Sequence, residues 1–328
     1  MSRSLREWGN EHVSPMLALA GAVVAMSTAS ILIRWSAAPS SVVAFYRVLF
    51  TLALVVPFVL GERRSEFRTL SRRDLLSATA AGIALGIHFA AWFESLAWTS
   101  VAASVTLVQT QPVFVAIGAY LLLDERIDRR IVGGIVLTVC GATAMTLADP
   151  GAAIAVEGDA RFGNTLALVG AVAAGAYVLA GRSIRQRVSV FPYVTVVYAS
   201  CALTLLAVVG AQDAALLGYP PREWVLFVAL AAGPGLLGHT VINWALEHVR
   251  STVVGITMLG EPVGATILAV LLLAEVPGTG TVLGGVIVLG GIYLASTSRS
   301  SGGDREEGSG GDREEGSNRD SDVAAKID

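Results

Sequence analysis

A few charged and polar side chains lie inside long apolar stretches, and they are the candidates for chemistry. Glu261 stands directly before Pro262, whose ring removes a helical hydrogen bond and exposes a backbone carbonyl. A carboxyl group at such a place could bind a cation or hold a transferable proton; the alternative is a kinked helix with a neutral or paired glutamate. Gln109 and Gln111 flank the matching Pro112 and could hydrogen-bond a ligand without carrying charge.

Arg47 is the second charged residue of this kind. Its guanidinium does not deprotonate in proteins, so it requires a carboxylate, backbone carbonyls or an anionic ligand. We expect either a structural role, as a surface anchor or ion pair, or contact with a ligand. Arg34 and Glu94 lie near the ends of two other apolar stretches. We predict that Glu94 either gates a cavity or pairs with Arg34 or Arg47.

Two histidines occupy similar places in separate apolar stretches. His88 and His239 are 151 positions apart, and histidine titrates near neutral pH. The pair could face one cavity, or each could make an interhelical hydrogen bond. His239, Asn243 and Glu247 recur every four residues and form one polar stripe on a helix. We expect Glu247 to be solvated or paired with Arg250.

Proline and glycine mark three predicted helix breaks, at Pro112, Pro234 and Pro262. Pro234 stands between Gly233 and Gly235, and broken helices can mark a binding region in membrane proteins. His, Cys and carboxylate residues form no cluster with ligand spacing, so no metal site is predicted. The chain has no G-x-x-x-x-G-K-[ST] motif, and we predict no cofactor and no catalytic residue.

The elements that must position these residues are membrane helices. Charged residues make up 15% of the chain, against about 25% in soluble proteins, and 54% of residues are hydrophobic. This composition excludes a water-soluble enzyme of this size. Apolar stretches of about 20 residues can cross a bilayer, and they must be helical because lipid cannot satisfy exposed backbone groups. We predict ten spans: 15–34, 42–60, 75–97, 101–122, 131–148, 163–181, 193–210, 223–245, 252–273 and 281–297.

Arginine favours one orientation of these spans. The loop 61–74 after the second span carries five arginines, whereas each odd-numbered loop carries at most one. Cytoplasmic loops are enriched in basic residues, so both termini are predicted to face the cytoplasm. The motif GGDREEGS occurs at 302–309 and again at 310–317, and such a polar repeat cannot bury enough apolar surface to order itself.

The chain contains an internal duplication at a shift of 150 residues. Five spans per copy force the second copy to lie inverted relative to the first. Inverted repeats are common in secondary transporters, whose binding sites lie where the repeats meet. The matched pairs include Pro112 with Pro262, Glu125 with Glu275, Gly134 with Gly284 and Gly141 with Gly291.

Three segments carry a family resemblance: PSSVVAFYRVLF at 39–50, TSVAASVTLVQTQPVFVAIGAYLLLDE at 99–125, and its partner STVVGITMLGEPVGATILAVLLLAE at 251–275. With the spans and the duplication, they make the chain similar to the drug/metabolite transporter superfamily with two EamA-type domains. The resemblance implies two inverted bundles that move a small metabolite by alternating access. Arg47 matches an arginine that recurs at this place in the family. The first copy has Gln111 where the second has Glu261, so only the second half could supply a coupling carboxylate.

We therefore predict an all-α integral membrane protein with ten transmembrane helices arranged as two inverted five-helix repeats. It would be a multi-pass protein of the cytoplasmic membrane. The predicted parts are a cytoplasmic N-terminus (1–14), a first repeat (15–148), an external linker (149–162), a second repeat (163–297) and a disordered acidic cytoplasmic tail (298–328).

The predicted function is a secondary transporter, either an exporter or a permease, for a small metabolite or drug. The predicted partners are that substrate, the lipid bilayer and a proton or another coupling ion, without nucleic acid; a homodimer is left open. One alternative is a lipid-modifying membrane enzyme, which would need carboxylates or histidines clustered near one interface. A passive channel would need a continuous polar line.

Overall fold

A computed structural model describes residues 14–60, 64–67, 70–98, 104, 107–148, 159–273 and 278–297. Helices form nearly all of these ranges, which contain no strand. The predicted tail 298–328 and most of the predicted N-terminus and linker lie outside them. The helices are α1 (Pro15–Trp35), α2 (Ser40–Leu60), α3 (Arg64–Phe67), α4 (Arg72–Trp98), α5 (Gln111–Leu122), α6 (Arg129–Leu147), α7 (Ala160–Arg185), α8 (Val190–Ala211), α9 (Pro221–Leu230), a π-helix (Ala231–Thr240), α10 (Val241–His248), α11 (Ser251–Met258), α12 (Glu261–Leu273) and α13 (Thr279–Ser296).

Membrane-spanning length is common among these helices. In the described ranges, eight helical stretches are long and apolar enough to cross a membrane, and α5 is a shorter apolar helix of 12 residues. Helix α6 has 19 residues and covers most of the predicted span 131–148. Each of the ten predicted spans overlaps at least one of these helices. The agreement follows because the spans were predicted from the length of apolar stretches, which the sequence gives directly.

Two helices restart at positions 150 residues apart. Helix α5 begins at Gln111 and α12 at Glu261, and each follows a two-residue turn. The turn before α12 is closed by the Gly260 amide, which donates to the Thr257 carbonyl at 2.9 Å. Pro112 and Pro262 take the second position of the new helix, where a missing N–H costs little. The helix therefore breaks at both places where the proline pattern predicts it.

The predicted break at Pro234 takes another form. The chain runs helically from Pro221 to His248, and Pro234 lies inside the π-helix. A π-helix spaces its hydrogen bonds five residues apart and accommodates an extra residue. The Thr51 hydroxyl of α2 shares its hydrogen between the Arg47 carbonyl of its own helix at 2.7 Å and the Ala231 carbonyl of this segment at 3.2 Å. The helix is locally widened rather than interrupted.

The shift between the two copies changes along the chain. Asp74 in the first turn of α4 and Glu223 in the first turn of α9 are 149 residues apart. Downstream of the π-helix, Gln111 and Glu261 are 150 apart. The π-helix lies between Glu223 and Glu261 and can accommodate an extra residue.

Helices α6 and α13 cross at closely packed glycines. A Cβ atom at Gly134 would lie 2.9 Å from the Gly291 carbonyl oxygen, and one at Gly141 would lie 2.7 Å from the Gly284 carbonyl oxygen. The duplication pairs Gly134 with Gly284 and Gly141 with Gly291. If each glycine is replaced by its match in the other copy, the contact of Gly134 with Gly291 becomes the contact of Gly284 with Gly141. The two contacts are therefore reciprocal, as in an interface in which the same surface meets itself.

Other helix contacts between the copies also come in matched sets. Helix α4 of the first copy packs on α7 and α8 of the second. In the corresponding contacts, the π-helix of the second copy packs on α1 and α2 of the first. Helix α5 packs on α7 as α12 packs on α1. The main buried cluster accordingly draws side chains from both copies. The buried polar candidates are Arg47, Gln109, Gln111, His239 and Asn243.

Candidate functional site

Arg47 of α2 lies in the interior, with 6% of its surface exposed. Its guanidinium carbon is 5.0 Å from the centre of the Phe89 ring of α4, within the range of a cation–π contact. Among the described residues no carboxylate forms an ion pair with Arg47. Arg47 is thus neither a surface anchor nor one member of a closed pair.

A hydrogen-bonded group of side chains adjoins Arg47. The Asn243 amide nitrogen donates to the Tyr177 hydroxyl at 2.6 Å and to the His239 carbonyl at 2.7 Å. The Tyr198 hydroxyl lies 3.0 Å from the Thr240 hydroxyl. Asn243 is fully buried, and these contacts tie the π-helix and α10 to α7 and α8. The predicted residues His239 and Asn243 therefore belong to the interior of the bundle.

The two histidines have different surroundings. His88 Nδ1 is 2.9 Å from the Gly170 carbonyl oxygen, which gives the interhelical hydrogen bond named above as an alternative. The His239 ring packs edge-on against Phe89 at 5.8 Å, and its Nδ1 is buried without a partner in the described part of the chain. His239 Nδ1 is therefore a buried histidine nitrogen that a ligand could hydrogen-bond.

Both helix restarts contribute polar groups to the interior. The backbone carbonyl of Glu261 accepts a 3.1 Å hydrogen bond from the Ser27 hydroxyl of α1, while its carboxyl group remains half-buried. Gln111 Nε2 lies 4.0 Å from the Met258 sulfur, so the start of α5 reaches the end of α11. Gln109 is buried, and its Oε1 has no partner within the described ranges.

Glu94 does not pair with Arg47, and Glu247 is half-exposed, as the solvated alternative predicts, while it pairs with an arginine other than Arg250. Glu94 accepts hydrogen bonds from Trp98 Nε1 at 2.9 Å and Gln212 Nε2 at 3.1 Å, rather than from Arg47. The Arg34 side chain is outside the described atoms. Glu247 pairs with Arg185 of α7, not with Arg250, because α10 packs against the end of α7.

A buried carboxylate that the sequence marked only as a repeat position ties the two copies together. Glu125 accepts 2.9 Å hydrogen bonds from the amide and the hydroxyl of Ser251, and a 3.1 Å bond from the Thr252 hydroxyl. Arg182 Nε lies 3.6 Å away and Arg250 Nε 4.0 Å away. Glu125 thereby caps the start of α11, where a negative charge is favoured. In the sequence, the match of Glu125 with Glu275 in the duplication was the feature that pointed to this residue.

Arg185 is the second residue that the sequence did not single out. It is 2% exposed, and its Nε donates to the Asn243 carbonyl at 2.9 Å while another nitrogen meets Glu247. The predicted span 163–181 ends before it, but α7 extends to this residue. Arg185 closes the polar interior on the side where α7 ends.

Comparison with known proteins gives the family. The model of the EamA-like transporter family matches residues 13–147 and 161–297, one match for each copy. The chain belongs to this family. It is a multi-pass membrane transporter whose partners are a small-molecule substrate and the lipid of the cell membrane.

Named relatives and a solved structure agree with this family. The chain is 26% identical to the pseudopaline exporter CntI of two Pseudomonas aeruginosa strains, over 80% of this chain and 88% of each relative. A solved crystal structure of another protein is 20% identical to this chain and superposes on it with a TM-score of 0.73. The match covers 86% of this chain and 96% of the other. This likeness shows a shared fold.

Proposed function

We propose that this family member is a secondary transporter that moves a small metabolite or drug across the cytoplasmic membrane by alternating access. One observation carries the proposal. Each copy places one ionisable side chain in a membrane helix without an ion pair among the described residues: Arg47 in α2, which is buried, and Glu261 at the start of α12. Charges inside a membrane protein are costly and mark substrate or ion pathways.

Ten transmembrane helices in two inverted repeats provide the scaffold of this proposal. The reciprocal glycine contacts of α6 and α13 and the matched helix pairs support an in-plane two-fold relation. In this arrangement both termini are cytoplasmic. The repeats extend over 15–148 and 163–297, the linker 149–162 is external, and the segments 1–14 and 298–328 are cytoplasmic.

Each polar residue of the interior has a proposed role. Glu261 carries the coupling proton, and Arg47 binds the solute. His239, Asn243, Gln109 and Gln111 supply neutral hydrogen bonds to the solute, and His88 fixes α4 against α7. Export is the direction to test first, because the named relatives are exporters.

The first experiment uses purified protein in liposomes that contain a pH-sensitive dye. Amino acids, nucleosides, organic anions and cationic drugs are added in turn under an imposed pH gradient. We expect at least one class to move together with protons in the wild type. Glu261→Gln should abolish this coupled movement but retain exchange of labelled solute, because the variant cannot release a proton at this position.

The repeat itself provides the matched control. Gln111→Glu introduces a carboxyl group at the corresponding position of α5 and leaves Glu261 intact, so the solute movement that remains should still be coupled to protons, even if the affinity for the solute falls. Full pH-driven accumulation by Glu261→Gln would refute the coupling role. Steady electrical conductance would instead indicate a channel, and release of a modified lipid would indicate an enzyme.

A further inference from the structure

The second copy contains a π-helix where the first copy has none. Residues 231–240 are π-helical, whereas α4 of the first copy is α-helical from Arg72 to Trp98. Long π-helices are rare, and π-helical turns are frequent at functional sites. We infer that residues 231–240 are a hinge with two forms: the π-helix of this structure and an α-helix that is kinked at Pro234. The role of this hinge rests on the proposed transport function, because alternating access is the motion in which the second copy would bend.

The sequence of this segment disfavours a straight α-helix. Three glycines and Pro234 lie within it, and these residues are the poorest helix formers. In an α-helix the Pro234 ring would also meet the carbonyl of Leu230, four residues before it, and such a conflict kinks the helix. At a shift of 149 residues, Leu85 takes the place of Pro234 in the first copy, and α4 contains no proline. The form of residues 231–240 therefore depends on contacts from outside the segment.

Helix α2 holds the start of the π-helix. The Thr51 hydroxyl lies 3.2 Å from the Ala231 carbonyl oxygen and 2.7 Å from the Arg47 carbonyl oxygen, so it links the two helices. A Cβ atom at Gly235 would overlap the Thr51 oxygen, so this close approach requires glycine. Arg47, which we propose binds the solute, lies one turn before Thr51 on α2. A movement of α2 that accompanies solute binding would therefore act directly on this contact.

Helix α7 holds the end of the π-helix. The Asn243 amide nitrogen donates to the His239 carbonyl at 2.7 Å and to the Tyr177 hydroxyl of α7 at 2.6 Å. The Asn243 carbonyl in turn accepts a 2.9 Å hydrogen bond from Arg185 Nε of α7. Backbone acceptors inside a membrane must be satisfied by the protein itself. Side-chain donors at these two carbonyls therefore stabilise the change from π-helix to α10.

Two matched threonines test the role of the donors. Thr51→Val keeps the shape of the side chain but removes the hydroxyl that reaches Ala231. Amide hydrogen exchange of the purified protein is measured by mass spectrometry on peptides that cover 231–240. We expect exchange to be about threefold faster in the variant, which is the change in a local opening equilibrium expected from one net hydrogen bond.

Thr204→Val is the control. Among the described residues the Thr204 hydroxyl donates only to Ser200 of its own helix, although Thr204 lies against Gly86 of α4 as Thr51 lies against Gly235. The variant should leave the exchange of both α4 and the π-helix unchanged.

A further variant separates a hinge from a segment that is only loosened. Pro234→Ala supplies the missing amide and removes the conflict with Leu230, so a straight α-helix forms without outside donors. Exchange over 231–240 should be at least about threefold slower than in the wild type, and adding Pro234→Ala to Thr51→Val should cancel the acceleration. Transport in the liposome assay should nevertheless be at least about tenfold slower, because the segment no longer bends. The assay uses whichever of the four compound classes the wild type moves.

Several outcomes would overturn the hinge. Unchanged exchange in Thr51→Val would do so, and so would equal acceleration by Thr51→Val and Thr204→Val. Wild-type transport by Pro234→Ala, or slower transport without slower exchange, would also contradict it. If exchange responds as expected but the wild type moves no compound, the transporter is refuted and the two forms of the segment stand. Transport by the wild type with unaltered exchange in all variants would give the opposite result.

Discussion

Helices α2 and α8 occupy corresponding places in the two copies, so their central residues can be compared directly. Thr51 of α2 donates to the Arg47 carbonyl at 2.7 Å, and Thr204 of α8 donates to the Ser200 carbonyl at 2.9 Å. Each threonine also lies against a glycine of the opposite copy, Gly235 and Gly86 respectively. Ser200 therefore takes the place in the second copy that Arg47 takes in the first.

The helix restarts differ in the complementary way. Glu261 begins α12, whereas neutral Gln111 begins α5. Each copy thus contributes one charge, and the matching position in the other copy is uncharged. The helix contacts of the two copies therefore correspond, whereas the side chains at these two positions differ in charge.

Removing the charge of the first copy should have the largest effect. Arg47→Met keeps an unbranched side chain against Phe89 but removes the charge that we propose binds the solute. Transport should fall by about a hundredfold, since losing a buried charge partner costs about 2–5 kcal/mol. The melting temperature should stay the same or rise, because the unpaired charge is itself costly. Uptake into liposomes and thermal unfolding in detergent measure the two effects.

Ser200→Ala is the control for Arg47→Met. Ser200 is the neutral counterpart of Arg47, and its carbonyl bond with Thr204 does not depend on its hydroxyl group. Transport should therefore remain within about twofold of wild type, as expected for a substitution away from the charges. Equal losses in the two variants would contradict the proposed asymmetry.

The glycine crossing of α6 and α13 should respond equally from either copy. Leucine at position 141 or 291 would force its Cβ against backbone atoms of the facing helix at 2.7–2.9 Å. We expect Gly141→Leu and Gly291→Leu to lower the free energy of unfolding similarly, by at least the roughly 1–3 kcal/mol of a typical overpacked core. Thermal unfolding and the yield of monodisperse protein measure the loss.

Gly290 provides a matched control one residue away. A Cβ at this position meets no atom within 4 Å. Gly290→Leu should therefore be neutral or slightly stabilising, since leucine is also the better helix former. A large loss for Gly290→Leu, or for only one of the two crossing variants, would argue against a two-fold crossing.

The sequence predicted the helices better than the contacts between them. Apolar length located the spans, and the proline pairs located the restarts at Gln111 and Glu261. Gly233-Pro234-Gly235 indicated a break, but a π-helix formed, because its backbone is supported by tertiary contacts such as the hydroxyl of Thr51. Such support comes from a helix about 180 positions away, which no local pattern contains.

Ion-pair partners show the same limit. The four-residue spacing placed Glu247 correctly on one helix face, but its nearest arginine along the chain is not its partner. Arg185 reaches Glu247 because α7 extends beyond the predicted span and packs on α10. The role of Glu125 at the start of α11 likewise requires two segments more than 120 residues apart to meet.

Two carboxylates at corresponding helix starts contact the opposite copy. Glu223 of α9 accepts hydrogen bonds from the Ser36 hydroxyl at 2.5 Å and the Ala37 amide at 3.0 Å, both between α1 and α2. Asp74 of α4 pairs with Arg187, between α7 and α8, at 2.7 Å. The contacts correspond, but the first is buried and the second involves a half-exposed arginine.

The buried contact should be the stronger of the two. Glu223→Gln removes the negative charge and presents an amide nitrogen to one of the two donors. We expect a loss of about 1.5 kcal/mol in the free energy of unfolding, because hydrogen bonds to charged groups are worth about 1.5–3 kcal/mol each and the amide oxygen keeps one of them. Thermal unfolding at two salt concentrations should give the same loss, because burial limits screening.

The exposed contact should give the smallest effect. Arg187→Gln removes the partner of Asp74, while Asp74 keeps its 2.6 Å hydrogen bond from the Ser71 hydroxyl. An ion pair of this exposure contributes less than about 1 kcal/mol, and salt screens it. We therefore expect a small loss of stability at low salt that disappears at high salt. A loss equal to that of Glu223→Gln, or one unaffected by salt, would contradict the prediction that burial makes the Glu223 contact stronger than the Asp74–Arg187 pair.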